Sequence, residues 1–214
     1  MQPDVILTHA TPITMAVQRE TRAIPIVFVN VSDPIGSGFI ATLARPGGNL
    51  TGLMLFEASV AGKWLAMLKE IAPHLSRAAL MHNPKVSTFY LHAARALAPS
   101  LGIELVPGPI ENAADIGRTI ELFARVPNGG LVLTPDFSIF AHRDLIIALA
   151  ARHRLPAVYF ERAWVVAGGL MSYGVDFVDV FRQATSYVDR ILRGAKPADL
   201  PVQAPTRYEI RQSL

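Results

Sequence analysis

The side chains best suited to hold a small molecule stand directly after short aliphatic runs. They are Thr8, His9 and Thr11; Asn30, Ser32 and Asp33; Asn83; Thr134 and Asp136; Glu161; and Ser172 with Tyr173. Each alone reads as an ordinary turn or cap residue, since Asp-Pro, Asn-Pro and Thr-Pro are common turn formers. Together they divide by chemistry, with hydroxyl and N–H donors in the first part of the chain and carboxylates in the second. That division suits a zwitterion, its carboxylate at a helix N-terminus near Thr11 and its ammonium against Asp136 or Glu161. The expected ligand-binding set is Thr8, His9, Thr11, Asn30, Ser32, Asp33, Asn83, Asp136, Glu161 and Tyr173. Phe56, Tyr159 and Tyr173 are the candidates for stacking on a ring.

No comparable set is spaced for catalysis. G-x-x-x-x-G-K-[ST], G-x-S-x-G and H-E-x-x-H do not occur. The histidines at 9, 74, 82, 92, 142 and 153 lack zinc spacing. The chain has no cysteine, which excludes disulfides, thiolate nucleophiles and Cys-bound zinc. His9 and His82 end strand-like runs and read as hydrogen-bonded or solvent-facing. An enzyme using Asp136 or Glu161 as general base lacks a nucleophile and a positioned second group. No catalytic residue, metal or cofactor is expected. Gly36-Ser37-Gly38-Phe39-Ile40-Ala41 matches a dinucleotide fingerprint, but Arg45-Pro46 would stop the following helix after barely two turns. Asp33-Pro34 also puts a carboxylate where phosphates need room, so nucleotide binding is rejected.

The elements that must position these residues follow from periodicity. Strand-like runs occur at 5–8, 24–31, 78–82, 103–106, 131–134, 157–160 and 170–173, with a final extended run at 206–211. They alternate with stretches of helical period, the signature of a mostly parallel sheet covered on both faces. Helical faces are expected from Trp64, Leu65, Leu68 and Ile71; from Phe89, Leu91, Ala94 and Leu97; from Leu145, Leu149 and His153; and from Phe177, Phe181, Ala184, Val188, Ile191 and Leu192. Their aromatic and Met residues read as core. Asn112 followed by Asp115 predicts a capped helix start, and Gly102 and Gly194 predict helix ends. In open parallel sheets ligands bind beyond the carboxyl ends of the strands, which is where the polar residues fall. Arg45-Pro46-Gly47-Gly48-Asn49-Leu50-Thr51-Gly52 reads as a flexible joint, and Lys196-Pro197-Ala198-Asp199-Leu200-Pro201 as a spacer.

Composition narrows the partners. The 214 residues are 51% hydrophobic and 17% charged, which supports a sizeable core and excludes the disordered class. No apolar stretch reaches the length of a membrane span. The net charge of +3 comes from scattered basic residues, so nucleic acid is not an expected partner. Met1-Gln-Pro-Asp shows no basic or apolar leader, so no secretory signal is read in the chain as written.

The segments Ile24-Pro25-Ile26-Val27-Phe28-Val29-Asn30-Val31-Ser32-Asp33-Pro34-Ile35-Gly36-Ser37-Gly38 and Leu43-Ala44-Arg45-Pro46-Gly47-Gly48-Asn49-Leu50-Thr51-Gly52 closely resemble a family signature. The family is that of ABC-transporter substrate-binding proteins related to tryptophan- and tyrosine-binding lipoproteins. The resemblance continues through Leu68–Pro73, Gly168–Gly174 and Tyr187–Pro197. It implies an α/β type I periplasmic-binding fold, two Rossmann-like lobes of parallel sheet flanked by helices and joined by several crossings. Such lobes close on a small organic solute, with an amino acid as the candidate class because relatives bind aromatic ones, and present it to an ABC permease in the membrane. The implied lobes are residues 1–51 with 174–195, and 52–173 with 205–214. Thr11, Ser32 and Asp33 would serve the first, and Asn83, Asp136, Glu161 and Tyr173 the second.

Family members ordinarily begin with a signal peptide and an initial β-α-β-α portion, and Met1 falls just before the third strand of that pattern. They also continue past Glu209-Ile210. The expectation is therefore a chain truncated at both ends, its first lobe incomplete, with a sheet edge and apolar helix faces uncovered. The implied location is periplasmic or membrane-anchored and extracytoplasmic, or cytoplasmic if Met1 is the true start. Two other readings stand beside the receptor: a cytoplasmic ligand-sensing domain of the same fold, and a non-functional fragment of a binding protein.

Overall fold

Runs of β-branched and aliphatic residues become parallel strands because both faces of each run find apolar cover, which parallel pairing requires. In the computed structural model, which describes residues 2–213, the chain forms two compact units. It passes from one to the other at Glu57–Ala58, Gly174–Val175 and Arg207–Tyr208.

The first unit holds the residues up to Glu57 together with Val175–Arg207. Its sheet is three-stranded and parallel, with β1 (Ile6–His9), β2 (Ile26–Val31) and β3 (Leu50–Met54) in that order. Every residue of β2 is buried. Side chains alternate across the sheet, so Ile26 and Phe28 enter a core with Leu50, Met54, Phe39, Ile40 and Val202. Met15 and Val17 of α1 (Thr11–Glu20) close that face. The long helix of this unit, Phe177–Leu192, packs on β2 and β3, burying Val180, Ala184, Tyr187 and Ile191.

The second unit carries a six-stranded sheet. Its strands are β4 (Arg77–His82), β5 (Glu104–Pro109), β6 (Gly129–Leu133), β7 (Ala157–Tyr159), β8 (Met171–Val175) and β9 (Tyr208–Gln212), in the order β5-β4-β6-β7-β8-β9. The pairs from β5 through β8 are parallel. Its helices are α2 (Val60–Ile71), α3 (Thr88–Leu97), α4 (Ala113–Ala124), α5 (Phe137–Phe140), α6 (Arg143–Arg152) and α7 (Arg162–Val166), which makes Phe177–Leu192 α8. α2 packs beside α3, and α4 beside α6. Asn112 caps α4 by accepting from Asp115 N at 3.1 Å, while Asp115 Oδ2 accepts from Glu111 N. Gly102 and Gly194 follow their helices with φ of 64° and 99°. No helix among the described residues is long and apolar enough to cross a membrane.

Three expectations are corrected. The turn-rich joint ends at Asn49: Leu50, Thr51 and Gly52 form the start of β3 and are buried. Gly52 permits this, because a Cβ there would sit 1.9 Å from Phe28 O. α6 buries Ile146, Leu149 and Ala150 while Leu145 is exposed and His153 follows the last turn, since packing rather than the leucines chose the face. On α3 and α8, Leu97, Phe181 and Leu192 lie outside, and Tyr90, Val180 and Tyr187 take the inner positions.

Candidate functional site

In the first unit the polar residues gather where β1 and β2 end and α1 begins. Thr14 Oγ1 donates to Ala10 O at 2.9 Å, so in its contact with Thr8 Oγ1, also 2.9 Å, Thr8 is the donor. Thr8 thus fastens β1 to α1 and has no hydroxyl proton left for a ligand. Thr11 opens the helix, and its Oγ1 faces Ser32 N at 3.4 Å. Ala10 provides no side-chain cap, and Pro12 removes one N–H from the first turn. The remaining first-turn N–H groups form the positive end of α1.

Asn30 is the unusual member. Its φ is 57°, and the β2–β3 register shifts between Val29 and Val31 around it. It is 3% exposed, and neither Nδ2 nor Oδ1 has a hydrogen-bond partner among the described residues. Asp33 has a local task, its Oδ1 accepting from Gly36 N at 2.8 Å to hold the turn after Ser32. His9 is set apart by strand alternation. It faces away from Thr8, with its ring 5.5 Å from that of Phe181, and burial against its surroundings lowers its pKa.

In the second unit the ends of β4 and β6 are bound into one network. Thr134 Oγ1 donates to Met81 O at 3.0 Å and lies 3.3 Å from Ser87 Oγ. Ser87 Oγ donates to Asn83 O and accepts from Asn83 N. Asn83 Nδ2 reaches Ser138 Oγ at 3.4 Å, and Ser138 Oγ donates to Asp136 Oδ1. Asp136 Oδ1 also accepts from Ser138 N and Ile139 N, so that oxygen caps α5. Ser87 and Ser138 were missed by sequence reasoning because neither ends a strand; each opens a helix one short loop later. His82 is buried at the end of β4, its Nδ1 3.1 Å from Leu80 O, and desolvation lowers its pKa.

Glu161 precedes α7 without capping it. Burial pushes its carboxyl above the ordinary value, with Arg143 and Arg162 pulling the other way. Tyr173 stacks on Tyr208 at 5.1 Å and 11°, and its carbonyl accepts from Trp64 Nε1. Of the stacking candidates, Phe56 and Tyr159 are core residues, 0% and 1% exposed, and Tyr159 already stacks on Trp164. Burial moves the Tyr159 phenol far above its ordinary range. Ser172 Oγ and Trp164 Nε1 are buried without a partner among the described residues. No group of three or more His, Asp or Glu among those residues could hold a metal.

A small recess in the first unit lies elsewhere, lined in part by Leu53, Met54, Asp179 and Arg207. Asp176 closes the α8 N-terminus there, accepting from Val178 N and Asp179 N. None of the expected binding residues lines it.

Comparison with known proteins bears on the family and the fold. The family model described as ABC transporter substrate binding protein matches residues 1–210. A curated tyrosine-binding protein of Clostridioides difficile is 24% identical over 210 residues, which cover 97% of this chain and 60% of that protein. The chain therefore spans 60% of the length of that curated relative. A solved structure of a conserved domain protein from Vibrio cholerae superposes with a TM-score of 0.92 at 27% identity, covering 99% of this chain and 71% of that one. An ABC domain from Streptococcus pneumoniae in complex with L-Trp gives 0.89 at 22% identity, covering 97% and 70%. The fold is that of the type I periplasmic binding proteins. By the match along nearly its whole length, the chain belongs to the ABC transporter substrate-binding protein family.

Proposed function

We infer that this chain is the solute-binding component of an ABC-type importer. It captures a small zwitterion of the amino-acid class, changes no bond in it, and delivers it outside the cytoplasm to a membrane permease. The observation that carries this reading is the placement of polar groups at the carboxyl ends of parallel strands in both units. Thr11, Asn30 and Ser32 stand with the uncapped start of α1, and Asn83, Asp136 and Glu161 stand at the ends of β4, β6 and β7. The first unit offers N–H and hydroxyl donors suited to a carboxylate, and the second offers carboxylates suited to an ammonium. Within this set Thr8 and Asp33 act as supports, since their own polar atoms already bind neighbouring elements. The tyrosine-binding relative and the L-Trp complex support an amino acid as the solute class.

A ligand that binds only the folded state raises stability by mass action, about 2.7 kcal/mol at a hundred times its Kd. Thermal unfolding of the chain with each L-amino acid at millimolar concentration is therefore expected to show an upward shift for at least one. Uniform melting across that set, with no heat of binding by calorimetry, would remove the reading.

A further inference from the structure

We propose that Asn30 is the anchor for the ligand's carboxylate, its buried amide being claimed by no described residue and so left for the solute. Asn30 is 3% exposed, yet its Nδ2 and Oδ1 both lack partners among the described residues. A buried amide without hydrogen bonds is costly, and native structures keep such groups for a reason. The backbone adds to the cost. Asn30 at φ 57° and Ala10 at φ 67° are non-glycine residues in the left-handed region. They stand at the tips of neighbouring strands, where Ala10 N donates to Val29 O at 2.9 Å. Two residues beyond Asn30, Ser32 N reaches Thr11 Oγ1 at 3.4 Å. The chain on either side of Asn30 is thus held to Ala10 and Thr11 at the start of α1, a ten-residue helix with no side-chain cap.

The positive end of that helix decides the sign of the partner. A carboxylate oxygen there accepts from Nδ2 and from first-turn N–H groups together. Oδ1 is then free to accept from an ammonium on the neighbouring carbon, which has three N–H groups to share. The geometry selects α-amino acids over amines without a carboxylate. This deepens the receptor reading above and rests on it.

Three variants test it, each measured by thermal unfolding without ligand and by titration with the L-amino acid that shifts the wild type. Tyramine and tryptamine serve as carboxylate-free controls. Asn30→Gly suits the left-handed backbone and removes both orphan atoms. It is expected to melt a few degrees above wild type while losing roughly ten- to hundredfold in affinity, the worth of a hydrogen bond to a charged group. Asn30→Asp keeps the shape but places like charge against the carboxylate, and is expected to lose at least as much. Asn30→Ala removes the amide without granting backbone freedom, so it separates lost binding from relieved strain. The amines are expected to shift none of the proteins. If the wild type is stabilised by an amino acid and Asn30→Gly binds it equally well, the role of Asn30 is overturned while the receptor reading stands. If no amino acid shifts the wild type, both fall.

Discussion

Glu161 shows how a single residue's surroundings become a measurable property. Its ordinary value is 4.5, and burial raises it. The folded chain therefore keeps this proton to a higher pH than the unfolded chain does. Between the two values the folded state binds more protons, so this group's contribution to stability falls as pH rises through that window. Glu161→Gln is expected to melt above wild type at neutral pH and to match it below 4.5, as read from unfolding temperatures across a pH series. Identical pH profiles for the two proteins would contradict the assignment. The types of the candidate residues were legible in the sequence because polar side chains after aliphatic runs mark strand ends. Their individual tasks were not. Thr8 and Asp33 were as visible as Asn30, and only coordinates separate a hydroxyl or carboxylate already engaged from an amide that is not.

At the scale of the element, β3 repays attention because its composition argues against it. A Gly-Gly-Asn run leads into Leu50-Thr51-Gly52, and the whole reads as turn. The strand forms because Phe28 O approaches so closely that only a glycine fits, at φ 151°, while Thr51 Oγ1 donates to Leu200 O at 2.6 Å. Gly52→Ala is expected to destabilise the protein by on the order of 3 kcal/mol, visible as a lower urea midpoint. The other strands were legible to within three residues, and those inside the sheets coincide with buried parallel positions. Helix faces were less so. In α8 the inner row is Val180, Ala184, Tyr187 and Ile191, one position around from a stripe drawn through its phenylalanines, because the sheet beneath and not hydrophobicity alone sets the rotation.

For the whole molecule, the open edge of the first sheet matters most. β1 pairs on one side with β2, and among the described residues no strand lies on its other side. Leu7 is 48% exposed there, and Phe181 is 39% exposed nearby on α8, against His9. An unpaired strand with apolar flanks invites edge-to-edge association, and a charge on it discourages this. Leu7→Lys is expected to reduce concentration-dependent association in light scattering while leaving the melting temperature close to wild type.

The threefold passage of the chain between its units also governs how it is made. Val202 helps complete the core beneath β1, β2 and β3, yet it leaves the ribosome only after residues 58–174 have been synthesised. At 5–20 residues per second that is a wait of roughly ten seconds. During it the nascent amino-terminal strands have no finished interior to enter, and their core closes only when Val175–Arg207 emerges.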